Sequence, residues 1–159
     1  MRPSAGRWSS AESCRASWCP CAAWPPSWGL WIEPELTARA APHAEAAFIK
    51  SLKAIDVRLD ATLAAGDVDG YMTANHAFHF AVCERAEAEV LLSMARGLWL
   101  QIGPFLRVVF GRAGTVGLAA DRYAEAMHAL KAGDSEAARR AIAADLSDGM
   151  DRMCAAVGG

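Results

Sequence analysis

Apolar residues recur at steps of three and four from Glu33 to the end of the chain, which is the spacing of one face of an α-helix. No alternating pattern typical of a β-strand appears in this stretch. Between residues 44 and 65, one apolar stripe comprises Phe48, Leu52, Ile55, Leu59 and Leu63. Helices with one apolar face bury it against each other. We therefore predict an all-α fold, an antiparallel bundle of six to seven helices.

Two Ala-Gly-Asp turns separate neighbouring helical segments, at Gly66-Asp67 and at Gly133-Asp134. Glycine tolerates the left-handed conformation that ends many helices, and the aspartate carboxylate accepts hydrogen bonds from free N–H groups of the next helix. Such short connections make the joined helices antiparallel. The complete pattern predicts helices over Pro34 to Pro42, 44–65, 67–85, 87–110, 118–132 and 135–156, with a kink at Gly103-Pro104 and a loop at 111–117.

The first 31 residues differ in composition from the rest of the chain, because they contain five of the six Trp, three of the five Cys and four of the seven Pro. The Pro25-Pro26 pair disfavours a helix, and the apolar core and cleavage site of an export signal are missing. We interpret residues 1–31 as a disordered or out-of-frame segment and residues 32–157 as the folded domain. A peptide from residues 8–28, detected by mass spectrometry in cell extract, would exclude the out-of-frame interpretation.

The balanced charge of the chain, −2 in total, gives no basic surface for nucleic acid, whose phosphates require clustered Lys and Arg. No apolar run approaches the ~20 residues of a membrane span. Cys14, Cys19 and Cys21 lack a partner pair at zinc spacing. Cys83 and Cys154 lie in apolar helical stretches, where buried free thiols are common. We therefore expect a protein of the reducing cytoplasm with no membrane partner.

A set of short motifs in a fixed order resembles one family of helical domains. The motifs are Glu33-Pro34-Glu35-Leu36, Ala64-Ala65-Gly66-Asp67, Asn75-His76-Ala77-Phe78-His79, Ala129-Leu130-Lys131-Ala132-Gly133-Asp134, Ala137-Ala138-Arg139 and Asp145-Leu146. Over residues 32–156 they resemble the FadR-type C-terminal (FCD) domain of GntR-superfamily transcription regulators. The resemblance implies a homodimeric bundle that binds a small effector of the organic acid or acyl-CoA class. In that family a winged helix-turn-helix domain contacts DNA, and we expect this domain to be absent from the chain.

Many members of that family hold a divalent metal through an Asp, a His four residues later and two further His. The resemblance assigns the Asp position to Asn75, the first His to His79, and the other two His positions to Tyr123 and Asp145. Tyr123 and Asp145 are each eleven residues from Asp134, so we expect them to face each other about 16 Å along their helices.

These substitutions weaken the metal site that the resemblance implies, because an amide oxygen and a neutral phenol are poor ligands. Only His79 and Asp145 remain strong ligands, with Asn75 a doubtful third, which disfavours a Zn, Ni or Mn ion. We instead predict a metal-free pocket whose side chains form hydrogen bonds to a polar ligand, and its members are Asn75, His79, Tyr123 and Asp145. A buried Asp145 requires a partner, which we expect to be Arg107 or His79.

Two functions of different classes follow. The favoured one is the effector-binding and dimerisation domain of a bacterial GntR/FadR-type regulator, which is not an enzyme. In this family an Arg binds the ligand carboxylate, and the resemblance assigns its position to Gly29. This replacement disfavours ligand binding. The alternative is a metal-binding helical bundle protein or enzyme. His76 and His79 are three residues apart, but no HExxH motif accompanies them.

Overall fold

The computed structural model describes residues 26–113 and 122–157. Within these ranges there are six α-helices, one 3₁₀ turn and no β-strand. The α-helices are α1 (Pro26–Ala40), α2 (Ala46–Ala65), α3 (Val68–Glu84), α4 (Glu89–Ala113), α5 (Arg122–Ala132) and α6 (Ser135–Val157), and the 3₁₀ turn is Ala41–His43. The all-α prediction is therefore confirmed. No helix of the described ranges is long and apolar enough to cross a membrane.

Both Ala-Gly-Asp turns have the conformation that the sequence predicts. Gly66 has a φ of 65° and Gly133 a φ of 69°, which is the left-handed region favoured by glycine. Asp67 Oδ1 then accepts a 2.9 Å hydrogen bond from the Gly70 N–H, and Asp134 Oδ1 accepts one of 2.9 Å from the Ala137 N–H. Each turn ends one helix and caps the next, so α2 packs on α3 and α5 packs on α6.

The predicted start of the first helix at Pro34 is wrong, because α1 begins eight residues earlier, at Pro26. Pro26 fits the first helical position, where a backbone N–H has no helical partner. Pro34 lies inside the helix, which continues to Ala40 although proline removes one backbone hydrogen bond. The buried side chains of Ile32 and Leu36 flank Pro34, and their packing holds the helix together across it.

The other boundaries lie close to the predicted ones, with a difference at α4. The helix α4 passes through Pro104 without a break and extends to Ala113, so residues 111–113 are helical and not part of a loop. The helix α5 begins at Arg122, and residues 114–121 lie outside the described residues. The predictions for residues 1–25, including Cys14, Cys19 and Cys21, also lie outside them.

The interior contains two groups of packed apolar side chains. The larger group joins α2, α3, α5 and α6 around the fully buried Phe78, with Leu52 and Leu59 from the predicted α2 stripe. The smaller group joins α1, α3 and α4 through Ile32, Leu36, Phe80, Cys83, Leu92 and Trp99. The helix α3 contributes to both groups, so His79, between Phe78 and Phe80, lies at the centre of the bundle.

Candidate functional site

A cavity of about 340 Å³ opens among all six α-helices. Its lining includes Glu33 from α1, Asp60 from α2, three residues of α3, Trp99 from α4, Tyr123 from α5 and Asp145 from α6. The α3 residues are Tyr71, Asn75 and His79, which follow one another at four-residue spacing on one helix face. A ligand in this cavity would therefore contact every helix of the bundle.

The side chain of His79 is 2 % exposed and lies between two carboxylates. Its Nδ1 is 2.9 Å from Oε2 of Glu33, and its Nε2 is 3.2 Å from Oδ2 of Asp145. The contact with Glu33 is an ion pair without hydrogen-bond geometry. A neutral imidazole carries one N–H and one lone pair, and a lone pair facing a carboxylate is repelled. The position between two carboxylates therefore favours an imidazolium, with a proton on each nitrogen.

The electrostatics of His79 agree with this geometry. Burial alone would lower the pKa of His79. The charge of Glu33 and the contacts with Asp145 and Glu33 outweigh burial and raise the pKa from 6.5 to about 10. His79 is therefore protonated at neutral pH.

Glu33 is also buried, and a buried carboxylate is costly unless it is paired and hydrogen-bonded. Its Oε1 accepts a 2.7 Å hydrogen bond from the indole Nε1–H of Trp99. Its other oxygen is the one that contacts His79. These contacts join α1 to α3 and α4 at the base of the cavity.

The hydroxyl of Tyr123 donates a short hydrogen bond to Oδ1 of Asn75. Its oxygen lies 3.4 Å from Nε2 of His79 and can accept from that N–H, because its own proton is engaged by Asn75. Burial, followed by the charge of Asp145, holds the pKa of Tyr123 well above its usual value of 10. Tyr123 therefore remains a neutral phenol.

The structure brings together four of the five predicted site residues, namely Asn75, His79, Tyr123 and Asp145. The fifth, Arg107, lies elsewhere. Its exposed guanidinium pairs with Asp69, in a surface groove between α3 and α4. The neighbouring Leu106 lines the cavity, and a step of one residue turns a side chain about 100° around a helix axis. The partner of Asp145 is thus His79. Arg107, which the sequence assigned to the site, lies outside it.

Two residues of the cavity base were missed by the sequence predictions. Glu33 belongs to one of the motifs above, and it follows Ile32 on a helix whose Leu36 is also buried, so an interior carboxylate was foreseeable. Trp99 gave no comparable signal, because a Trp in an apolar helix is equally consistent with ordinary core packing.

The residues present do not fit the divalent metal ion that the resemblance implies. Both ring nitrogens of His79 lie beside carboxylates that favour their protonation, and a protonated nitrogen has no lone pair for a metal. The Asn75 oxygen already accepts from Tyr123. Across residues 26–113 and 122–157, no three His, Cys, Asp or Glu side chains are grouped so as to hold a metal ion.

Comparison with known proteins identifies the family to which the chain belongs. The family model described as the FCD domain matches residues 30–148. The fold is similar to a solved structure of E. coli McbR/YncC, with a TM-score of 0.74, 22 % sequence identity and 79 % of this chain covered. The match spans 60 % of that protein's length. No curated protein sequence matches the chain. Because the family model covers most of its residues, the chain belongs to the FCD domain family.

Proposed function

We propose that the chain is the effector-binding and dimerisation domain of a bacterial GntR/FadR-type transcription regulator. The observation that carries the proposal is the cavity itself, because it reaches all six α-helices and has an ordered polar base at Glu33, His79 and Asp145. A ligand that favours one packing of these helices shifts the population of the whole bundle towards it. In the proposed regulator, a separate winged helix-turn-helix domain contacts the DNA.

The proposed function is not enzymatic and needs no resident metal. A general acid or base must release and regain a proton near neutral pH. The imidazolium of His79 has a pKa of about 10 and is held on both sides by carboxylates, so it binds and orients but does not transfer protons.

The buried, free thiol of Cys83 fits a cytoplasmic protein.

Homodimerisation forms part of the same proposal. The helix α4 exposes Val90 and Leu100, which are 75 % and 80 % exposed, and the partly exposed Met94 lies on the same helix. Large apolar side chains exposed on one helix are candidates for an interface between two copies of the chain. Analytical ultracentrifugation should give a dimer for the unaltered chain and a monomer for Leu100→Asp. Val57→Asp, on an exposed apolar residue of α2, is the matched control and should remain dimeric.

The sensing role is tested by a thermal-shift screen of small carboxylates, sugar acids, acyl-CoAs and amines, followed by calorimetry of each hit. Leu63 lines the cavity, so Leu63→Trp fills part of it and should abolish binding of a genuine effector. Val57→Trp, at an exposed position on α2 that does not line the cavity, should leave binding unchanged. If no compound binds, or if Leu63→Trp binds as tightly as the unaltered chain, the cavity is not an effector site.

A further inference from the structure

The cavity that we propose as the effector site has more negative than positive groups on its walls. Five carboxylates line it, and only three cationic groups do so, namely His79, Arg122 and Arg152. The carboxylates are Glu33, Asp56, Asp60, Asp145 and Asp148. Walls of low dielectric focus the field of such groups into the cavity. A cationic ligand would therefore be attracted and an anionic ligand opposed.

Two of the three cationic groups, moreover, already have anionic partners. His79 lies between Glu33 and Asp145. The guanidinium of Arg122 is 3.1 Å from a carboxylate oxygen of Glu125 and 3.2 Å from one of Asp148. A ligand carboxylate would have to compete with these partners for His79 or Arg122.

Aromatic rings supply the second half of the site. Trp99, Tyr71 and Tyr123 all line the cavity, and the Trp99 ring lies 5.5 Å from that of His79. The faces of Trp and Tyr rings carry partial negative charge and attract organic cations, and aromatic walls beside carboxylates form the usual binding site for ammonium groups. The walls thus match a cation in charge and in the aromatic rings they present.

The pKa of Tyr71 responds to charged groups on the cavity wall. Burial and then the charge of Asp145 raise its pKa from 10 to about 12, and the opposing effect of Arg152 is smaller than that of Asp145. The nearby arginine therefore does not reverse the negative potential.

The size of the cavity limits the ligand as well. Ligand cavities commonly measure about 300–1,000 Å³. The volume here, about 340 Å³, is at the lower end of that range and suits a small ligand.

We infer that the effector of this domain is a small organic cation with an amine or quaternary ammonium group, bound between the aromatic walls and the carboxylates of α2 and α6. The inference rests on the proposed sensing function and names the ligand class for that site. It departs from the carboxylate that the family resemblance implies, because the residue in the position of the ligand-binding Arg is Gly29.

Three probes test the inference by calorimetry on the full chain of 159 residues: 1,4-diaminobutane, tetramethylammonium chloride and butanedioate. The diamine and the dianion have the same carbon skeleton length and opposite charge. At least one cation should bind with 1:1 stoichiometry while butanedioate does not, and tenfold more salt should weaken the binding. Butanedioate binding, alone or beside the cations, would overturn the inference but leave the sensor proposal intact. If none of the three binds, the inference is overturned, and the wider screen above decides the sensing role.

A matched pair of variants locates the cation. Asp60 is exposed at the mouth of the cavity, and Asp60→Asn should weaken the binding of the cationic probe about threefold, as expected for one partly solvated charge pair. Asp151 is exposed on α6 and does not line the cavity, so Asp151→Asn should leave the affinity unchanged. Equal weakening by both variants, or none by Asp60→Asn, would place the cation outside the cavity and overturn the inference.

Discussion

The indole N–H of Trp99 donates a 2.7 Å hydrogen bond to Oε1 of Glu33, and both side chains are buried. The bond joins residues that are 66 positions apart in the chain and ties α4 to α1. A carboxylate in the interior is stable only when its oxygens are satisfied, so this contact is one condition for the charge that holds His79.

Trp99→Phe should lower the free energy of unfolding by about 2–3 kcal/mol, because it leaves a charged oxygen of Glu33 without its donor. Urea unfolding followed by circular dichroism measures the change. Trp31→Phe is the control, since Trp31 is 61 % exposed, and it should change stability by less than about 0.5 kcal/mol. Equal effects of the two substitutions would show that the Trp99–Glu33 bond contributes nothing.

Much of the fold follows from local patterns in the sequence. The two Gly-Asp turns and the α2 stripe depend on neighbouring residues alone, and the structure has them as predicted. The equal distance of Tyr123 and Asp145 from the turn that joins their helices places them at the same level, whereas their contacts with His79 depend on the packing of α3.

The rest depends on contacts between distant residues. Pro34 marks a helix start when it is considered locally, but packing of Ile32 and Leu36 keeps α1 continuous through it. To predict the pairing of Arg107 with Asp69, one must know which face of α4 points inward. The sequence of α4 does not show this, because apolar residues occur on much of the helix. The Trp99–Glu33 bond likewise depends on how α4 packs against α1.

The charge of His79 should make stability depend on pH in the alkaline range. Its pKa is about 10 in the folded chain and about 6.5 when unfolded, so the folded state retains a proton that the unfolded state loses. The stabilisation is complete below pH 6.5 and is lost as the pH rises towards 10. Between pH 7 and 9 the free energy of unfolding should fall by about 1.4 kcal/mol per pH unit.

Urea titrations at pH 7, 8 and 9 measure that slope. His79→Gln should remove it, because glutamine does not titrate. The control is His128→Gln, at an exposed position on α5, which should keep the slope of the unaltered chain. A flat profile for the unaltered chain would mean that His79 is neutral between its two carboxylates.

The glycines offer a pair of substitutions with opposite signs. Gly133→Ala should destabilise the domain by about 1–2 kcal/mol, since a φ of 69° is unfavourable for a residue with a Cβ. Gly97→Ala, inside α4, should stabilise it by about 0.5–1 kcal/mol, because a Cβ there meets no atom within 4 Å. Thermal unfolding of both variants checks the signs. The same sign for both would contradict the assigned turn.

Arg107→Ala should leave the cavity unaffected. Both members of the Arg107–Asp69 pair are largely exposed, and such pairs contribute at most about 1 kcal/mol. The ligand affinity should be that of the unaltered chain, measured with whichever compound the screen identifies. A tenfold loss of affinity would mean that Arg107 reaches the ligand after all.

A triple substitution should convert the site into a metal centre. In the unaltered chain, calorimetry with Zn²⁺, Ni²⁺ and Mn²⁺ should find no stoichiometric binding, because both nitrogens of His79 carry protons directed at carboxylates. Combining Asn75→Asp, Tyr123→His and Asp145→His restores the ligand types that the family resemblance implies. Removal of Asp145 frees Nε2 of His79, while Glu33 still contacts Nδ1. A carboxylate on the far nitrogen is the arrangement that orients a metal-binding histidine.

The triple variant should therefore bind one Zn²⁺ per chain, and Glu33→Gln added to it should weaken that binding about tenfold or more. Circular dichroism before metal addition establishes that the variant is folded. Stoichiometric metal binding by the unaltered chain would show that His79 releases a proton to the metal, and the imidazolium assignment would then be wrong. A folded triple variant without affinity for any of the three ions would show that these four positions do not converge closely enough for coordination.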